Sequence, residues 1–456
     1  MMRSGAFSLR HMVRLMVRFM GGLLSARVAR GVVGVCSVVL LLGACARGGA
    51  GDETEAARRR LDSIAEADSL AAIREATDLT NDARRYADSV VARLTVERKM
   101  GMLFMPALYA NDDRATLHRV GEYAAELHVG GIVLLRGNLR GAAVIADSLS
   151  RCGSPGLFLA VDAENGLRMR FADAPEFPWS REMGRISDDQ LFYEFGRELA
   201  RECRAVGINM VLGPVMDVVP GEGSHRLMLK RSLGSDPRRV ADLALAYARG
   251  VEEGNVISVA KHFPGHGSAT VDSHRALGEI RASREVIDSV DLYPFRRYAA
   301  EGLSGVMVGH LSVLALDSVR RPAVVSPVVM RDVLRDEVGF DGLVITDALN
   351  MEGAMGVSGW QAISAGADMV IAPSDTRREI QRMLAALADG RIGISMVDDR
   401  CRRILFYKYL IGLNAPPQLG DIDAAVAEVG REAPAVRDSI TSALRRNRSS
   451  SLRPRL

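Results

Sequence analysis

The stretch Val256-Ile257-Ser258-Val259-Ala260-Lys261-His262-Phe263-Pro264-Gly265-His266-Gly267 decides the reading of the fold. Residues 256–263 form a short, mostly apolar run, the pattern of a strand buried on both faces, and the run stops at a turn rich in glycine and histidine. Seven more such runs occupy 101–108, 130–136, 157–162, 208–218, 305–313, 343–347 and 369–372. Between them, 188–206, 236–252, 283–300 and 326–338 have helical spacing and open on Asp or Ser, residues that cap helix N-termini. Strands alternating with helices predict a parallel sheet, and eight of them predict an α/β fold of the (β/α)8 TIM-barrel type in a single catalytic domain. A helix over 396–411, ahead of Pro416 and Pro417, is expected to close it.

The 456 residues, 48% hydrophobic and 25% charged, suffice for one large barrel with a substantial core. The formal charge of +3 is set by the N-terminal segment. Six arginines (Arg3, Arg10, Arg14, Arg18, Arg27 and Arg30) and no acid precede residue 45, leaving 53 basic against 56 acidic side chains in the remainder. No basic stripe points to nucleic acid as a partner.

That segment combines a basic stretch, an apolar run over 32–42 and small residues before Cys45, the pattern of a secretory signal. Leu42-Gly43-Ala44-Cys45 resembles a bacterial lipobox, in which Cys45 takes lipid and becomes the mature N-terminus. An ordinary signal peptide or short anchor with a chance cysteine is the alternative. The expected organisation is a signal over 1–44, a partly helical tether over 45–81, the barrel over 82–413 and a helical tail over 414–456 with a disordered Arg-rich end. On this reading the protein is exported, lipid-anchored on the periplasmic or cell-surface side of a membrane, and monomeric. Cys152, Cys203 and Cys401 are too scattered for a disulfide framework or a zinc signature and are expected as buried thiols.

Barrels place chemistry where strands end, because loops from several strands converge over one mouth. Here run 157–162 leads into Asp162-Ala163-Glu164-Asn165-Gly166, run 256–263 into the glycine and histidine turn and Asp272-Ser273-His274, and run 343–347 ends on Asp347. A carboxylate closing a buried run is costly unless it is hydrogen-bonded or used, so Asp347 is either a helix cap or a reactive group. His262 and His266, each taken alone, read as structural histidines.

Lys261-His262-Phe263-Pro264-Gly265-His266-Gly267 with Asp272-Ser273-His274 resembles the signature of β-N-acetylglucosaminidases of glycoside hydrolase family 3. Gly339-Phe340-Asp341-Gly342-Leu343-Val344-Ile345-Thr346-Asp347 resembles that family's nucleophile segment, and the likeness spans roughly 85–413. The resemblance implies a retaining glycosidase without a cofactor, acting on terminal β-linked N-acetylglucosamine in cell-wall fragments. It makes Asp347 the nucleophile and His274 the acid and base, oriented by Asp272. Imidazole suits both roles near neutrality. It also places Asp162, Arg170, Arg231, Lys261 and His262 around the terminal sugar, whereas barrel-mouth ion pairs of Asp162 with Arg170 or Arg231 are the plain alternative. His266 is read as shaping its loop.

The sequence departs from the family's Asp-Gln-Glu-Gly-Gly-Arg at Ala163, Asn165 and Leu167, so the middle of the sugar pocket is read as altered, with Asp162 and Arg170 kept. The helix after Asn350 is read as shortened around 353–360. A second domain found in many members is not expected, and a truncated two-domain relative is the other reading. The rivals are a β-glucosidase of the same family, a phosphorolytic variant, a metal-dependent hydrolase using His262, His266, Asp272 and His274, and a catalytically impaired glycan-binding lipoprotein.

Overall fold

The computed structural model describes residues 74–153, 155–220, 226–269, 276–354 and 356–451. Cys45, Asp272 and His274 lie outside the described residues. The chain divides into Met1–Asp82, of which the described residues 74–82 are helical, and Ala83–Leu456, which holds every strand.

Eleven strands occur among the described residues: β1 (Phe104–Met105), β2 (Ala107–Ala110), β3 (Gly131–Gly137), β4 (Phe158–Val161), β5 (Met210–Val211), β6 (Ile257–Phe263), β7 (Gly278–Ile280), β8 (Gly305–Val308), β9 (Leu311–Val313), β10 (Leu343–Thr346) and β11 (Val370–Ile371). Seven of them make a parallel sheet in the order β10-β8-β6-β5-β4-β3-β2, with Val259 opposite Gly305 and Gly305 opposite Leu343. β1 and β11 pair separately, also in parallel, and a single bridge joins Ile345 to Met369.

The architecture is therefore an α/β fold with a parallel half-barrel sheet in place of one regular eight-stranded ladder, and helical residues outnumber strand residues. Proline accounts for part of the difference. Pro106 has no N–H to give and splits the run 101–108 into β1 and β2, and Pro214, after a cis Gly213–Pro214 bond, leaves two ladder residues of the run 208–218. The expected run 305–313 is two strands, β8 and β9, and β9 pairs with β7 in a small sheet of their own.

Helix boundaries follow the caps. Asp188 accepts from the Gln190 N–H at 3.0 Å ahead of Asp189–Ala205, and Asp236 accepts from the Arg238 N–H at 2.9 Å ahead of Pro237–Glu253. These two helices cross closely because both carry glycine at the contact: a Cβ on Gly196 would lie 2.2 Å from the Tyr247 carbonyl oxygen. Segment 326–338 forms a wide-turn helix, Val328–Glu337, whose end is marked by Val338 N–H bonding the Val333 carbonyl at 2.8 Å. The segment after Asn350 is a single turn, Glu352–Ala354, followed by the seven-residue helix Gly359–Ala365. In the tail, Ile422–Glu428 and Ala433–Ser451 are helical, so the Arg-rich end keeps helical backbone to Ser451 rather than losing structure at 445. Cys203 and Cys401 are buried, but Cys152, past the end of the helix Leu139–Ser150, is exposed, and all three are free thiols.

Asp368 ties β10 to the approach to β11. It is fully buried, takes the Val344 N–H at 2.8 Å and holds the guanidinium groups of Arg335 (2.9 Å), Arg403 (2.6 Å) and Arg400 (3.5 Å). Removing one partner from a buried ion network strands the others. Asp368→Asn is expected to lower unfolding free energy by about 3–5 kcal/mol in denaturant titration, and a change under about 0.5 kcal/mol, the level of an ordinary surface substitution, would contradict the tie.

Candidate active site

The chemistry-bearing residues gather at the C-terminal ends of the parallel strands. β4 delivers Asp162 and Glu164; Tyr247 Oη holds the loop between them by donating to the Ala163 carbonyl at 2.9 Å. A short turn, Leu167–Met169, brings Arg170 back onto Asp162. β6 is buried along its whole length and carries Lys261 and His262, joined by a cis peptide bond, just before its last residue, Phe263. The helix Arg226–Arg231 supplies Arg231, the loop after β5 supplies Asp217, and β8 and β10 lead to His310 and Asp347.

These groups form one line of alternating charge. Arg170 pairs with Asp162, whose other oxygen takes Lys261 Nζ at 2.6 Å. Lys261 also reaches Glu164 Oε1 at 2.8 Å, and Arg231 grips Glu164 with two bonds, Nη2 to Oε1 at 2.6 Å and Nε to Oε2 at 2.9 Å. Arg231 Nη2 then faces His262 Nε2 at 3.1 Å, and His262 Nδ1 lies 2.7 Å from Asp217 Oδ2. A guanidinium can only donate, so His262 Nε2 accepts and Nδ1 carries the proton to Asp217. Both ring nitrogens are thereby engaged, which makes His262 a holder of geometry rather than an acid or base. The cation on its Nε2 side also opposes a metal at that nitrogen, and among the described residues no three His, Cys, Asp or Glu side chains are grouped to hold an ion.

Protonation follows the pairing. Burial alone would raise the Asp162 and Glu164 carboxyls, but Lys261 and Arg170 hold Asp162 well below the usual range, and Arg231 with Lys261 brings Glu164 down to about 2. Asp217, also buried, is held low by His262 and His266. Asp347 is half-buried, and burial again pushes it up. His262, His310, the Ala348 N–H and Lys261 outweigh that and leave it lower than an ordinary aspartate, hence ionised at neutral pH. Its Oδ1 accepts the N–H of the next residue, Ala348, at 2.8 Å, whereas a cap takes the N–H two or three residues on, and no helix starts there, since the next element is the turn Glu352–Ala354.

Asp162, Arg170, Arg231, Lys261 and His262 are thus brought together in one cluster, and of the two ion pairs the sequence offered for Asp162 the one with Arg170 forms. Arg170 pairs with Asp162, but Arg231 pairs with Glu164. The altered positions Ala163 and Leu167 are fully buried, so those departures fall in the packing beneath the charged line and leave its carboxylates and cations in place. His266 shapes its loop, with its N–H on Asp217 Oδ1 at 2.7 Å. Sequence reasoning missed Asp217, Glu164 as a site member and His310. Asp217 carries the same signal as Asp347, a carboxylate near the end of the apolar run 208–218.

A parallel α/β sheet whose strand ends hold paired carboxylates, two guanidiniums and an ionised aspartate presents fixed donors and acceptors beside a partly open carboxylate, a set that suits a polar, hydroxyl-rich ligand. The profile of the glycosyl hydrolase family 3 N-terminal domain matches residues 95–406, and the chain belongs to glycoside hydrolase family 3. A β-hexosaminidase of Neisseria meningitidis serogroup C is 34% identical over 259 residues, covering 53% of this chain and 71% of the relative. A β-hexosaminidase of Nitrosospira multiformis is 34% identical over 279 residues, covering 58% and 76%. The solved structure of a family 3 β-N-acetylglucosaminidase from Paenibacillus sp. superposes with a TM-score of 0.68 at 30% identity, over 77% of this chain and 69% of that one. The protein is a glycoside hydrolase.

Because Glu164 is lowered from 4.5 to about 2, its pairing stabilises the fold fully above about pH 4.5, and the contribution is lost as pH falls through about 2. Arg231→Gln is therefore expected to lower Tm by several degrees at pH 5, where the pair is fully charged, and to flatten the drop in Tm between those limits in calorimetry. An unchanged acid profile would mean that the pair carries no charge linkage.

Proposed function

We propose that the protein is a retaining β-N-acetylglucosaminidase that releases terminal β-linked N-acetylglucosamine from peptidoglycan-derived fragments through a covalent glycosyl-Asp347 intermediate. The observation that carries this reading is the division of labour among the carboxylates. Asp162 and Glu164 are ionised and fixed by Lys261, Arg170 and Arg231, which suits them to accept from sugar hydroxyls and bars them from giving a proton at neutral pH. Asp347 is ionised and half-buried within the fields of His262 and Lys261 from the same line, as suits a nucleophile.

The acid that protonates the leaving oxygen then comes from elsewhere, and the resemblance of Asp272-Ser273-His274 to the family's acetylglucosaminidase loop assigns it to His274, with Asp272 orienting the ring. In the first step the Asp347 carboxylate bonds the anomeric carbon as the glycosidic bond breaks and His274 gives its proton to the aglycone. In the second, His274 takes a proton from water, whose oxygen replaces Asp347, and the β configuration is restored. The same proposal makes the seven-stranded sheet and the β1–β11 pair parts of one (β/α)8 barrel, supported by the Ile345–Met369 bridge and by hydrogen bonds from Val370 N–H to the Leu103 carbonyl and from Ala372 N–H to the Met105 carbonyl, both 2.8 Å. It also keeps the export signal and the lipid on Cys45, and a monomer. Among the described residues no helix is long and apolar enough to cross a membrane.

With a chromogenic N-acetylglucosaminide, Asp347→Ala is expected to lose roughly 10³-fold or more in kcat and to yield no glycosylated peptide by mass spectrometry. His274→Ala should lose turnover of a substrate with a poor leaving group while keeping much of it on an activated aryl glycoside. Equal loss on both would remove His274 from the acid role, and a glycosylated peptide in the Asp347 variant would relocate the nucleophile.

A further inference from the structure

The turn from His262 to His266 is held from two sides. On one side Asp217 takes both backbone N–H groups, His262 at 3.2 Å and His266 at 2.7 Å, together with the His262 Nδ1 proton. On the other lies Asp291, at the end of the segment Ile287–Asp291, ahead of the helix Leu292–Ala300. It is packed so tightly against Gly265 that a Cβ there would come within 2.6 Å of Asp291 Cβ and Oδ1. Gly265 has φ +136°, so the backbone conformation and the carboxyl together require glycine at this position. Asp291 is 4% exposed, and its Oδ1 has no hydrogen-bond partner among the described residues.

We propose that Asp291 is a positioning residue of the active site, which as an uncharged carboxylic acid seats the His262–His266 turn on Asp217. This rests on the glycosidase reading only for its effect on turnover.

Two carboxylates flank this one turn, and Asp217 is the one that must stay charged, since it accepts three N–H groups. A second negative charge on the opposite flank would repel it, and its Oδ1 would be left buried without a donor among the described residues. Burial, and then the field of Asp217, pushes the Asp291 carboxyl up to about 7. Among the described residues, the charged and titratable groups facing it are Asp217 from the loop after β5 and, bound to that carboxylate, His262 and His266 from the turn after β6. On its own segment, Asp288 is turned to Arg284 and Arg296.

The sign follows from the direction of the shift. Below pH 7 Asp291 is neutral and the turn is seated. As pH rises through about 7 it ionises, drives apart from Asp217, and loosens the grip of Asp217 on the His262 ring that faces Arg231. Asp291 is packed on Gly265 of the turn, so it acts through the turn and His262 and sets an alkaline limit on the site.

Asp291→Asn in the full chain tests this, since the amide keeps the shape and cannot ionise; Asp291→Ser is the second variant if Asn does not fold. Near pH 6 the variant is expected to hold kcat/KM within about threefold, and its alkaline limb should move up by about one pH unit or more, relative to wild type. A substrate-free readout is the His262 imidazole signal in NMR, which in the wild type should show an inflection near pH 7 that the variant lacks. If no glycoside is cleaved, the glycosidase reading fails and the NMR inflection still decides the role of Asp291. A wild-type titration with no such inflection, a variant that retains it, or a folded variant inactive at every pH overturns the proposal.

Discussion

The ammonium of Lys261, 2% exposed near the end of β6, is shared between Asp162 and Glu164, and the mouth is organised around that sharing. Two carboxylates two residues apart on one loop would repel each other if left alone. One buried cation between them, with a guanidinium on each outer side, turns the repulsion into a line of alternating charge running from Arg170 to Asp217. Each member is expensive to bury alone and tolerable only with its neighbours, so the line is held as a unit. That suits sugar recognition, where donors and acceptors have to be fixed before the substrate arrives.

Asp347 differs from those carboxylates in the kind of support it receives. Among the described residues no ion pair pins it; the fields of His262, His310 and Lys261 and a backbone N–H keep it ionised while it stays partly open. A nucleophile locked in a bidentate pair would be unreactive, and one left fully in water would have no oriented lone pair. His310, donating from Nε2 to the Ala348 carbonyl at 2.9 Å, fixes the backbone beside it.

Much of this was legible in the chain. The apolar runs located the strands because parallel strands buried on both faces need continuous apolar sequence, and Asp188 and Asp236 marked helix starts because a cap is a local interaction. What escaped was the consequence of contacts distant in sequence. Nothing near Arg231 says that it pairs with Glu164, 67 residues away, rather than with Asp162. The pairing of β7 with β9 and the exposure of Cys152 likewise depend on where loops settle. Asp217 could have been found, since the test applied to Asp347 fits it equally well. Ala163 and Leu167, read as changes in the pocket, are core residues whose position only the folded turn reveals.

The central claim, a two-step displacement through Asp347 on a β-linked N-acetylglucosaminide, is tested most directly by the configuration of the sugar as it leaves the enzyme. Proton NMR of the anomeric signals, recorded in the first minutes of hydrolysis before mutarotation, should show the β-anomer of N-acetylglucosamine first and the α-anomer only later. Appearance of the α-anomer first would mean direct attack by water and would contradict the account.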